Sequence, residues 1–113
     1  MNQGNPKLPA IMHVEKGEEI AGMWVSPHVP GIGVYKLMAK KRQDGTCEWV
    51  HFQQREDGTK KILFRGDVES KMRLKDVLDT TNMTLTRIYG VSMQVAEFDA
   101  YTLGGKKFDG PTH

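Results

Sequence analysis

Cysteine is nearly absent from this chain of 113 residues. Cys47 stands alone, so no intramolecular disulfide can hold the fold, and a reducing cytoplasmic setting is the expectation. Long apolar runs are also missing. No stretch approaches the roughly 18 consecutive apolar residues of a membrane span, and none near Met1 has the form of a signal peptide, so the sequence reads as soluble with no membrane partner. The four histidines, His13, His28, His51 and His113, form no close-spaced pair, and there is no second cysteine to complete a zinc site. No metal and no cofactor is expected.

Catalytic signatures are equally scarce, and no catalytic residue is assigned. On a strand, Cys47 and His51 would point to the same face about 13 Å apart, too far for a nucleophile and its base. The adjacent carboxylates Glu18-Glu19 and Glu56-Asp57 would point apart on a strand or sit in water in a turn. "PGIGVY" has two glycines of the dinucleotide fingerprint but neither the third nor a clear preceding strand. Arg65-Gly66-Asp67 and Asn82-Met83-Thr84 match an adhesion tripeptide and a glycosylation acceptor, yet nothing else here suggests secretion.

What the sequence does contain is an uneven charge distribution and clear turn chemistry. From Lys36 to Lys75 there are 11 Lys plus Arg against 6 Asp plus Glu, an excess of +5, while the remainder carries −3. "QDGT" and "EDGT" recur 13 residues apart between β-type runs, and Asp-Gly in that setting is a strong hairpin signal. Three strands follow, Val34 to Arg42, Cys47 to Gln54 and Lys60 to Arg65. A two-residue turn at Asp44-Gly45 would pair Leu37 with Phe52, Ala39 with Val50 and Lys41 with Glu48. A three-residue loop at Glu56-Asp57-Gly58 would pair Phe52 with Ile62 and Val50 with Phe64. These registers gather one apolar face and leave Lys36, Met38, Lys40, Arg42, Trp49, His51, Gln53, Lys61, Leu63 and Arg65 on the other.

Beyond the strands, Leu74, Val77, Leu78, Thr81, Leu85, Ile88 and Tyr89 form one helical stripe. Ser70 is placed to begin the helix and Gly90 to end it, while threonines 80, 81, 84 and 86 weaken its intrinsic preference. The spacing therefore predicts an α+β domain spanning 1–113: an antiparallel meander over about 34–65, packed against one amphipathic helix over about 71–89. Flanking strands are possible. Ala10 to Val25 fits a strand or a short helix, Met93 to Leu103 fits either a fourth strand or a helix, and the proline- and glycine-rich Ser26 to Gly33 reads as a break. Residues 1–8 and 104–113 read as flexible termini.

Three readings of function follow. A non-catalytic interaction domain, forming homo-oligomers through Met38, Trp49 and Leu63, comes first, because a sheet face with three large apolar residues seldom stays in water. The alternative is nucleic-acid binding, with Lys36, Lys40, Arg42, Lys61 and Arg65 on phosphates, Trp49 stacking on bases, and His51 and Gln53 beside it. Against it, Lys40 would simply lie over Trp49 as a cation–π pair. A small-molecule pocket between sheet and helix is the third, and no polar constellation in the sequence speaks for it.

Overall fold

A computed structural model describes residues 11–96. Among the described residues the fold is α+β: a five-stranded antiparallel sheet with one α-helix. The strands are β1 (Glu19–Val25), β2 (Gly33–Lys41), β3 (Cys47–Arg55), β4 (Lys60–Val68) and β5 (Gln94–Val95), in the order β4-β3-β2-β1-β5. A 3-10 turn, Lys71–Arg73, leads directly into helix α1 (Leu74–Tyr89), so the helical segment covers the expected 71–89. The ambiguous Ala10 to Val25 contributes β1. Ser26 to Gly33 joins β1 to β2 as a tight loop in which Val29 bridges Gly33. Of the segment Met93 to Leu103, Gln94 and Val95 pair with Val25 and Trp24. Residues 97–103 lie outside the described residues, as do both termini expected to be flexible. None of the described helices is long and apolar enough to cross a membrane.

The two hairpin loops are the same structure built twice. Arg42 N–H donates to Thr46 O at 2.8 Å, and Gly45 N–H donates back to Arg42 O at 3.0 Å; Arg55, Thr59 and Gly58 repeat this at 2.8 and 2.9 Å. Gly45 and Gly58 have φ of +91° and +89°, the left-handed conformation that closes a three-residue loop. Each aspartate fixes its loop. Asp44 accepts from the N–H and hydroxyl of Thr46, and Asp57 does the same for Thr59.

This loop type corrects the first expected register. With three residues in the turn instead of two, Leu37 lies opposite His51, Ala39 opposite Trp49 and Lys41 opposite Cys47. In the second hairpin Phe52 meets Ile62 as expected, but a bulge between His51 and Phe52 then sets His51 opposite Phe64 and Val50 opposite Arg65. A one-residue slip moves side chains to the other face, so the two residue sets read from the sequence are redistributed.

The sheet is consequently covered on both sides. Tyr35, Leu37, Ala39 and Cys47 face α1 and pack with Trp24, Trp49, Leu74 and Leu85. Met23, Met38, Val50 and Phe52 face the other way and lie beneath Ile11 and Met12. Leu37, Met38 and Ala39 are therefore all fully buried in succession, a pattern that a strand with one wet face cannot show. Val50 and Phe52, expected under the helix, instead belong under this N-terminal strap.

The helix is held by packing and by its ends. Gly90, with φ +72°, terminates it and donates its N–H to Thr86 O at 3.0 Å. Ser70 precedes the 3-10 turn as expected, although its hydroxyl makes no capping bond. Leu74 and Leu85 are buried, whereas Ile88 remains exposed. Asn82 turns from a motif residue into an anchor: its side-chain oxygen accepts Met93 N–H at 2.8 Å and fixes the chain's return toward β5.

Candidate functional site

The register separates the residues expected to share a basic-aromatic face. Lys36, Met38, Lys40 and Arg65 belong to the face under the strap, while Trp49, His51 and Gln53 belong to the helix face. Lys61 lies opposite Gln53, and Leu63 packs into the helix-side cluster. Met38 is fully buried and separated by the sheet from Trp49 and Leu63, so these three do not form one patch. For the same reason Lys40 does not lie over Trp49.

The cations on the strap side are largely engaged. Lys40 Nζ reaches Glu18 at 2.7 Å, the carbonyl of His13 at 2.6 Å and Glu48 at 3.7 Å. Arg42 binds Asp67 at 2.6 Å and Glu48 at 3.3 Å. Arg65 reaches Glu48 and the carbonyl of Ile11, both at 3.2 Å. Three cations thus face three carboxylates and two backbone carbonyls, an arrangement that clasps residues 11–18 to the sheet. The hydrogen bond from Lys40, reinforced by the Glu15 N–H, holds the Glu18 carboxyl below its ordinary value of 4.5. Elsewhere, Lys36 Nζ donates to Gln54, and Gln53 donates to the Tyr35 hydroxyl.

Cys47 is fully buried beside Ala39 and Leu74, and this burial pushes its thiol pKa up, the opposite of nucleophile activation. Among the described residues no three His, Cys, Asp or Glu side chains are grouped to hold a metal ion. A groove of about 530 Å3 at the Arg42 end is lined by charged groups that pair with one another, Arg42 with Asp67 and Arg73 with Asp76 and Glu69.

A different kind of concavity opens between α1 and the outer strands. This cleft, of about 450 Å3, is floored by Trp49, His51 and Phe64 and walled by Val77, Thr80, Thr81 and Thr84, with Asp76 at one end. Leu74 and Leu85 seat the helix on the middle of the sheet, and among the described residues nothing covers the inner face of β4 at Phe64. Phe64 is 67% exposed there. The rings of Tyr89, Tyr35, His51 and Phe64 form a row across the sheet, with successive centroids 5.3, 5.9 and 6.4 Å apart.

His51 is the member of that row that lines the cleft beside Phe64, and it is 7% exposed. Its Nδ1 lies 3.0 Å from Lys36 O, which can only accept, so Nδ1 carries the hydrogen. Burial lowers its pKa below 6.5 and keeps the ring neutral, which leaves Nε2 a bare acceptor. Tyr35 keeps its proton as well, since burial raises its pKa.

The second exposed feature is an edge. Among the described residues β4 has β3 on one side and no strand on the other, and it carries Ile62, 39% exposed, along with Phe64. Sequence reasoning assigned Phe64 to the core. The repeat of Arg-x-Asp-Gly-Thr in both loops was the available signal for the first register, whereas the bulge that turns Phe64 toward the cleft has no marker in the sequence.

Compared with known proteins, the chain matches no family model, no curated protein and no solved structure.

Proposed function

We propose that the protein is a non-catalytic interaction domain that self-associates, with β4 of one copy pairing antiparallel to β4 of a second. The observation that carries this reading is the nine-residue edge strand whose central aromatic, Phe64, stays 67% exposed. Among the described residues this edge is unpaired, and an edge of this length is a template for another strand. Its charges favour one register. Centring the two-fold axis on Gly66 sets Arg65, which already holds Glu48, beside the partner copy's Asp67, which already holds Arg42, and sets Phe64 against its Val68; a shift by one pair would set Arg65 against its own image. Trp49 supports the strand from the helix side, where its indole lies across Gly66.

The magnitude points to a weak complex. A large aromatic buries about 150–250 Å2, so roughly 100–170 Å2 of Phe64 is still available per copy. At ~25 cal/mol per Å2 complete coverage would contribute at most about 2.5–4 kcal/mol per copy, and edge pairing covers only part of a ring that also floors the cleft. Backbone hydrogen bonds add to this, against an association cost of about 4–15 kcal/mol. Gain and cost are of similar size, so the complex is expected to be weak and to depend on concentration. Sedimentation equilibrium at tens of micromolar is expected to show dimer for the native chain and monomer for Phe64→Glu. A native chain that stays strictly monomeric under those conditions would overturn the reading.

A further inference from the structure

We propose that the cleft between α1 and β3–β4 is a binding site for a flat, uncharged aromatic molecule carrying a hydrogen-bond donor, a phenol or an indole. Its ring would lie against Trp49 and Phe64, and its donor would meet Nε2 of His51. The site shares Phe64 with the proposed β4 interface but opens on the helix side of the sheet, and it is carried by His51 and the helix wall, which the self-association does not use.

The first observation is an orphaned acceptor. His51 is more than nine-tenths buried and lines the cleft, its Nδ1 hydrogen is committed to Lys36 O, and among the described residues Nε2 has no partner. A buried polar atom in that state wants a donor, and a neutral imidazole can only accept at Nε2. The second observation is the character of the walls. Thr81 donates its hydroxyl hydrogen to Val77 O at 2.8 Å and Thr84 donates to Thr80 O at 3.4 Å. Both oxygens are left able to accept, so a ligand that presents donors matches the cleft. The third is charge. Among the described residues no Lys or Arg lines the cleft, and its one acidic lining residue, Asp76, is already paired with Arg73 at 3.3 Å. An anion would find no cation there, and a cation would lose its water beside a largely apolar surface. Size agrees, because about 450 Å3 falls within the range of small-molecule sites.

The test compares indole with N-methylindole, which keeps the ring and lacks the donor. Titrated into the full chain and followed by nitrogen–proton NMR, indole is expected to saturate, shifting the amides of Trp49, Phe64, Thr81 and Thr84 and the Nε2 resonance of His51. N-methylindole should bind at least tenfold more weakly. His51→Phe should take both ligands with equal affinity. Should that variant fail to fold, the comparison on the native chain decides alone. Absence of saturable shifts with indole, shifts confined to residues away from the cleft, or equal affinity of the native chain for both probes would overturn the proposal. Sedimentation of the same samples reports self-association separately, so failure of one reading is distinguishable from failure of the other.

Discussion

Lys40→Met removes a buried charge while keeping the length and apolar character of the stem. Lys40 is 5% exposed, and its ammonium satisfies Glu18 at 2.7 Å and the His13 carbonyl at 2.6 Å. Breaking one partner of a buried pair costs about 3–5 kcal/mol, because the other charge is left uncompensated. Glu48 keeps Arg42 and Arg65, so the damage concentrates on Glu18 and the strap, and a loss near the lower end, about 3 kcal/mol, is expected. With a urea slope of roughly 1.5 kcal/mol per molar, the unfolding midpoint should fall by about 2 M. Glu18→Gln in the Lys40→Met background should recover part of that loss, and trypsin should cut after Lys16 faster in the single variant than in the native chain. A midpoint within about 0.3 M of the native value, or no recovery in the double variant, would refute the clasp.

Acid should weaken the fold in two stages. Burial holds the His51 pKa below its ordinary 6.5, so the unfolded chain takes up that proton first, and stability that is whole above about 6.5 declines as pH drops through the depressed folded value; His51→Phe should flatten this slope in urea titrations. Glu18, also depressed, contributes above its unfolded value of 4.5 and loses that contribution as pH falls through its folded value, so the cost of Lys40→Met should shrink in strong acid. Phe52→Ala, at a fully buried site, should cost about 3–5 kcal/mol, whereas Phe64→Ala in the monomer should cost less than about 1, as thermal unfolding would show. Gly45→Ala and Gly58→Ala should each cost about 1 kcal/mol or more and by nearly equal amounts, since both glycines occupy the same left-handed loop position.

The sequence is most legible where local chemistry decides. Asp-Gly-Thr marks both hairpins, the stripe from Leu74 to Leu85 marks the helix, and Gly90 marks its end, because each rests on interactions within a few residues. Register is harder. A two-residue turn at Asp44-Gly45 would set Trp49, His51, Lys36 and Lys40 on one face, whereas Arg-Gln-Asp-Gly-Thr and Arg-Glu-Asp-Gly-Thr close the same three-residue loop. Strict alternation was also the wrong test for β2. Leu37, Met38 and Ala39 are buried together because a strap from residues 11–14 covers the face opposite the helix. That contact, carried by Lys40 and Arg65, joins parts of the chain 27 and 54 residues apart, and no local pattern announces it. The cleft was invisible for a related reason: it depends on where the helix sits and on a bulge in β4.

The strap also sets an order of assembly. Three-residue loops let β2, β3 and β4 find one another quickly, since short loops close with little entropic cost and hairpins form in about 1–10 μs. The bond between Arg65 and Ile11 closes a far longer loop, and contacts of high sequence separation are slow to arrive. Residues 11–18, although made before the meander, are therefore expected to dock after it. In that order Met38, Val50 and Phe52 would face water until Ile11 and Met12 cover them, and weakening the clasp would lengthen the interval in which the sheet is open to aggregation.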